Sequence, residues 1–561
     1  MNRKLVIIAL IPVLLLGGWY LASRPKAVEM AAYVPASALG YIEVNDWPRF
    51  VSEMSETEGW KGIAPAYGLD GKFADLGRVG WLRGLSIDSE AAVLARSQFA
   101  VALTGIEVRG DEVKPLLTLI VETHSDAKTI AGLSEKRLRN FARNMFGEAV
   151  GERTEYAGVE INTYRPAGGR PGAERRLHSA IIESELIVSN NADSLRACID
   201  ARLDRVPDMA GNFYQQNGRR VVDRGSALFG FVTGEGVNRL LRFGAFIISN
   251  AALRETGLTD VLQDVLSDLA EKASTGIAWG AGFENGRMVD RYLLQMKPEI
   301  IESIRPRIKV SRAASVALEV LPSGIDDLTV IRIEKPNQAI DEVERAISAR
   351  IGVGQSFLLH QFLLGARQSL LGLEQDDAAY SALGDEVASF RFSDQTEDRV
   401  WMAALRDVSA APAIARGYLG SAAVTEERIA DQRIFQTKEK PDSAVGLKGK
   451  LIVFGKRPQV VRLLSAKGDR LKDDARFKAA VVEPSAVFGC DSIARETAGM
   501  FAAIARMAGG NLASRPELFD RLPFAVSSTD LHEQGIMIET HSSFGNLPFF
   551  LSLMDGDADD R

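Results

Sequence analysis

The sequence predicts an α+β protein: two tandem homologous units, each a mainly antiparallel sheet with helices packed on it, behind one N-terminal transmembrane helix. Three observations lead there. A strand-then-helix pattern occurs twice, first as 180–189 followed by a helix over 192–201, then as 444–454 followed by a helix over 458–466. Hairpin signals recur, strongest at Asn285-Gly286 and again near Gln534-Gly535. An uncharged apolar run, Leu5 to Ala22, stands near the start.

That run has 18 residues and as a helix is about 27 Å long, enough for the hydrocarbon core. Trp19 and Tyr20 sit at its outer end, where amphipathic rings favour headgroups. Tyr20 or Pro25 would occupy the −3 position of a signal-peptidase site, so an uncleaved signal-anchor is expected, with residues 1–4 inside and the bulk of the chain outside the cytoplasm. Cleavage and release to the periplasm is the alternative.

After a connector, 23–34, unit 1 is expected over 35–297. Alternation predicts a strand at 38–44, and Asp46-Trp-Pro48 starts a helical region with proline in its first turn. Strands at 99–103 and 116–122 flank a turn at Arg109-Gly-Asp, and a helix over 125–146 follows. Next come a strand at 159–164, a Gly/Pro/Arg loop, the recurring strand and helix, a strand at 227–232, helices over 236–252 and 258–273, and the hairpin 276–296. Residues 298–311 read as a linker, and unit 2 over 312–554 repeats the order, with an acidic tail at 555–561. Val316–Val320 reads as the strand answering Tyr41–Val44; helices are expected at 336–351 and 357–373, and a hairpin from 387–392 and 400–405. The offset between halves shrinks steadily from Glu43/Glu319 through Leu186/Leu451 to Gly286/Gly535, as loop deletions in one copy would produce. Ile187, Val188, Phe229, Ile452, Val453 and Phe488 are the expected core.

An apolar share of 46% and a charged share of 25% are those of a globular protein, and a net charge of −7 argues against nucleic acid as a partner. Two cysteines, Cys198 and Cys490, fall in different slots and read as buried thiols. The anchor, the opening Pro35-Ala-Ser-Ala-Leu-Gly-Tyr-Ile-Glu-Val44 and the paired strand–helix units resemble a family of uncharacterised bacterial envelope proteins. The resemblance implies an envelope location and no activity.

No motif for a metal, cofactor or nucleophile elbow occurs. Gly280-Ala-Gly282 leads into a hairpin, not a helix, and Asp555–Asp560 lacks the spacing of a calcium loop. Two sites stand out. Arg165, Arg170, Arg175 and Arg176 share one loop that could grip an anionic partner, lipid or cell-wall polymer, against the plainer reading of a solvated flexible loop. Glu122-Thr-His124-Ser and Glu539-Thr-His541-Ser each offer a carboxylate and an imidazole at a strand end, against the plainer reading of exposed polar residues. The expected function is a membrane-anchored envelope protein with a non-enzymatic binding or scaffolding role, without cofactor. The alternatives are a carrier or chaperone for an apolar ligand such as lipid or lipoprotein, and an envelope hydrolase with a dispersed site. The partners implied are the membrane, another envelope protein, lipid or cell-wall polymer.

Overall fold

The structure is a computed structural model. It describes residues 27–67, 90–109, 112–167, 175–241, 272–311, 314–349, 356, 360, 381–393, 398–420, 423–478, 485–492, 497–501 and 516–548. The chain divides into two compact units, Met1–Arg239 with Gly276–Gly286, and Leu240–Thr275 with Arg287–Arg561.

In unit 1 the strands are β1 (Gly40–Val44), β2 (Gln98–Arg109), β3 (Glu112–Glu122), β4 (Ala149–Tyr156), β5 (Val159–Pro166), β6 (Leu177–Ile182), β7 (Glu185–Ser189), β8 (Leu228–Thr233) and β9 (Ser274–Glu284). They pair antiparallel in the order β9-β8-β1-β2-β3-β7-β6-β5-β4. Helices start where a side chain satisfies free amides. Asp46 caps α1 (Trp47–Glu56), Asp126 caps α2 (Ala127–Phe146), Asn191 caps α3 (Ala192–Arg202) and Asn212 caps α4 (Phe213–Val222). α2 packs on β4, β5 and β6; α3 packs on β3, β6 and β7; α4 packs on β8. Glu160 on β5 is exposed and Arg165 near its end is half-buried, while Ile161 and Tyr164 turn inward.

In unit 2 the strands are β10 (Arg287–Met296), β11 (Ile325–Arg332), β12 (Leu383–Phe392), β13 (Val400–Leu405), β14 (Thr425–Ile429), β15 (Gln432–Gln436), β16 (Ser443–Lys448), β17 (Leu451–Lys456), β18 (Val487–Asp491), β19 (Ala525–His532) and β20 (Gly535–Ser542). They pair in the order β10-β20-β19-β18-β11-β12-β13-β17-β16-β15-β14. The helices named here are α5 (Val316–Val320), α6 (Pro336–Ser348), α7 (Ala411–Leu419) and α8 (Arg457–Ser465). α7 covers β15 and β16 from one side; α8 packs on β16 and β17. Gly446 on β16 admits that approach: a Cβ there would lie 2.8 Å from Val460 Cγ1 of α8.

The expected fold class requires correction. All twenty described strands are hydrogen-bonded into one antiparallel sheet rather than into two tandem homologous units. Among the described residues no helix is long and apolar enough to cross a membrane, so the expected transmembrane helix has no counterpart there. The run Leu5–Ala22 lies outside the described residues, as do the tail 555–561 and most of the helices expected at 236–252, 258–273 and 357–373. Segment 298–311, read as a linker, opens with a helix, Pro298–Ile304, that buries Ile300, Ile301 and Ile304.

Both recurring stretches are hairpins, not single strands. β6 turns into β7 at Glu183-Ser184, with Glu183 at φ 52°, and β16 turns into β17 at Gly449-Lys450, with Gly449 at φ 63°. In each stretch the turn falls in a short polar interruption between two apolar arms, Glu183-Ser184-Glu185 and Lys448-Gly449-Lys450. Val316–Val320 is helical: the Ser315 hydroxyl accepts from Leu318 N, and the Glu386 carboxylate accepts from the amides of Val316 and Ala317. The strand beside β12 and β18 is β11 instead. Of the expected core, Ile187, Phe229, Ile452, Val453 and Phe488 are buried and Val188 is half-buried.

Candidate functional site

A groove of about 310 Å³ lies in unit 1 between α2 and the β4–β5 hairpin. Glu135, Arg139 and Arg143 stand four residues apart along α2, so they share one helix face. β4 contributes Gly151, Glu152 and Arg153; β5 contributes Asn162, Thr163 and Tyr164 across the ladder. Tyr164 packs with Ala142 and Leu177 beneath the groove, and burial raises its phenol pKa. Arg139 Nη2 lies 2.7 Å from Glu135 Oε1, Arg153 Nη1 lies 3.5 Å from Glu160 Oε1, and Arg165 Nε donates to Glu152 Oε1 at 2.7 Å. Both groove carboxylates are thus held by arginine. Among the described residues Arg143 has no ion-pair partner. Guanidinium groups placed this way can bind a carboxylate or phosphate through forked hydrogen bonds.

Of the arginines expected to meet an anionic partner, Arg165 sits at the rim of this groove through Glu152. Arg170 lies outside the described residues, and Arg175 and Arg176 are exposed just before β6. Arg139, Arg143 and Arg153 were missed: the first two stand four apart in a basic stretch, Lys136 to Arg143, of a helix that was expected, but Arg153 joins them only through the β4–β5 hairpin.

The two Glu-Thr-His-Ser segments build different sites, each in its own unit. Glu122 ends β3 and is 2% exposed. Its Oε1 accepts from the His124 amide at 2.7 Å, and its Oε2 accepts from Tyr33 Oη at 3.2 Å and Ser184 Oγ at 3.1 Å. His124 does not share a strand face with Glu122: it lies beyond the strand, at φ 51°, with Nδ1 3.6 Å from Glu122 Oε1 and Nε2 3.2 Å from Gln98 Oε1. Glu122 faces Glu185 of β7 in register, and Glu185 is 1% exposed. In unit 2, Glu539 and His541 both lie on β20. His541 Nε2 is 2.7 Å from Glu539 Oε1, and Arg291 of β10 donates to Glu539 Oε2 at 2.8 Å. The bond to His541, with Arg291 beside it, holds the Glu539 carboxyl down at about 2.

A further buried cluster joins α4 to β1, whose Tyr41 and Glu43 lie in the opening Pro35–Val44. Tyr41 and Glu43 alternate onto one face of β1. Arg219 of α4 donates to Glu43 Oε1 at 2.7 Å and stacks over Phe229 at 3.9 Å, while Gln215 donates to Tyr41 Oη at 2.7 Å. Burial raises the Glu43 pKa against the pull of Arg219. Alternation shows which residues share a face, not that a carboxylate is buried there.

Among the described residues no group of three or more His, Cys, Asp or Glu could hold a metal ion. Cys198 and Cys490 are buried free thiols; burial pushes Cys198 up to about 12. Gly280 and Gly282 lie in β9 and Gly286 in the turn after it, so they cradle no helix start. Comparison with protein families, curated proteins and solved structures finds no match to this chain.

Proposed function

We propose that the protein has a non-enzymatic binding role, and that an anionic ligand is held in the groove between α2 and the β4–β5 hairpin. The observation that carries this reading is the convergence of Arg139, Arg143 and Arg153 on one groove whose carboxylates, Glu135 and Glu152, are already paired with arginine. The groove is small enough to surround a compact anion and is lined by donors, Asn162 among them. Its polar lining suits an anion better than an apolar ligand.

Titration of the full chain with inorganic tripolyphosphate, followed calorimetrically, tests this. Binding is expected, and the triple variant R139A/R143A/R153A is expected to weaken it at least about tenfold, since each charge-assisted bond contributes about 1.5–3 kcal/mol. Raising the salt should weaken wild-type binding more than that of the variant. Equal affinity in both proteins, or no binding by the wild type, would remove the proposal.

A further inference from the structure

The segment ahead of β1 is fastened to one end of the unit 1 sheet. Val28 N donates to Gln98 Oε1 at 2.8 Å, and Gln98 Nε2 returns a bond to Val28 O at 2.9 Å. Met30 and Ala31 are fully buried. Val34 O accepts from Met209 N at 2.8 Å. Between these ties stands Tyr33, with its hydroxyl on Glu122 and its ring 5.5 Å from the Arg202 guanidinium carbon.

Beneath Tyr33 two carboxylates face each other across β3 and β7. They are not equally served. Glu122 has three donors, from Tyr33, Ser184 and the His124 amide. Glu185 has Arg202 Nε on Oε1 at 3.0 Å, and among the described residues its Oε2 is buried with no hydrogen-bond partner. Arg202 is shared, because its Nη2 also bonds Glu183 Oε2 at 2.7 Å. We propose that Glu185 is a proton-operated latch: protonated, it fastens residues 28–34 to the sheet end through Glu122 and Tyr33; ionised, it loosens them.

The chemistry follows from donor counting. With both carboxylates ionised, two negative charges face each other in a buried site, and the Tyr33 hydroxyl has one proton to give. A proton on Glu185 Oε2 removes one charge and supplies the missing donor, aimed at Glu122 or the Tyr33 oxygen. The charged and titratable groups around Glu185 are Tyr33 ahead of β1, Glu122 on β3, His124 beyond it, Glu183 in the β6–β7 turn and Arg202 on α3. Burial raises the Glu185 pKa, Arg202 opposes this and Glu122 adds to it. A raised carboxyl stabilises the fastened form at low pH, and that contribution is lost as pH rises through its raised value.

Hydrogen exchange of the amides of residues 28–35 in the full chain, between pH 5 and pH 8 and corrected for intrinsic rates, tests the latch. Wild-type protection is expected to fall as pH rises, by up to about tenfold per pH unit within the window. E185Q, which keeps a donor at every pH, should remain protected throughout. H124N should keep the wild-type dependence, and Y33F should lose it. Wild-type protection that varies less than about threefold overturns the proposal, as does an unchanged pH dependence in E185Q or Y33F. Loss of the dependence in H124N would move the switch to His124 and overturn it as well.

Discussion

His178 shows how one buried side chain sets a pH dependence that its sequence neighbours conceal. It lies on β6, 5% exposed, with Nδ1 2.9 Å from the Thr163 hydroxyl. Burial lowers its pKa to about 4, and Arg176, Arg196 and Lys114 push the same way. Unfolding restores an ordinary value near 6.5. A depressed folded value means that the stabilisation is complete above pH 6.5 and is lost as pH falls toward about 4. Between pH 6.5 and 5 that loss amounts to about 2 kcal/mol. The raised carboxyls Glu43 and Glu185 act in the opposite sense. Urea midpoints of the wild type and H178N at pH 7 and pH 5 should separate these effects: the variant is expected to lose less on acidification. An identical loss in both would show that His178 does not carry the dependence. His178 and the Glu43 and Glu185 sites were not legible in the sequence for one reason. A charged or titratable residue inside an alternating strand has the same pattern whether its face is open or covered, and α3 and α4 do the covering here.

Elements were legible where local chemistry decides them. Asp46 and Asp126 were close to the starts read for their helices, and Asn285-Gly286 turns with both residues at positive φ as an Asn-Gly hairpin requires. They were misread where a distant partner decides. β-branched Val316 and Val320 suit a strand, yet Glu386 holds the start of α5 through the Val316 and Ala317 amides and the Ser315 hydroxyl. Arg332 Nε lies 3.9 Å from the same carboxylate. Replacing Glu386 by Ala therefore strips the helix start of its acceptor and leaves Arg332 buried with less compensation. A loss of about 3 kcal/mol in denaturant unfolding is expected, with faster amide exchange at residues 316–318. A loss under about 1 kcal/mol would show that the turn forms without Glu386. β4 escaped the sequence reading for a different reason. As the edge strand of its unit, exposed from Val150 to Glu155, it has no apolar alternation to detect.

Across the whole molecule, the order of hairpins was readable but their partners were not, because pairing joins residues far apart in sequence. β10 is the clearest case: it was assigned to the first unit, yet it is grouped with the second and pairs along its length with β20, with Arg291 facing Glu539. Fragments 287–561 and 298–561 differ by this strand. In the shorter one, β20 amides that bond β10 are expected to exchange faster and the fragment to melt lower. Equal exchange would show that the pairing contributes nothing there. The same arrangement has a consequence in time. At roughly 5–20 residues per second, β20 emerges from the ribosome on the order of tens of seconds after β10. Throughout that interval the edge of β10 that β20 will cover presents open amides and carbonyls to any other nascent chain. A pause in translation between the two strands prolongs that exposure, so the yield of folded protein should depend on how fast this stretch of the message is read.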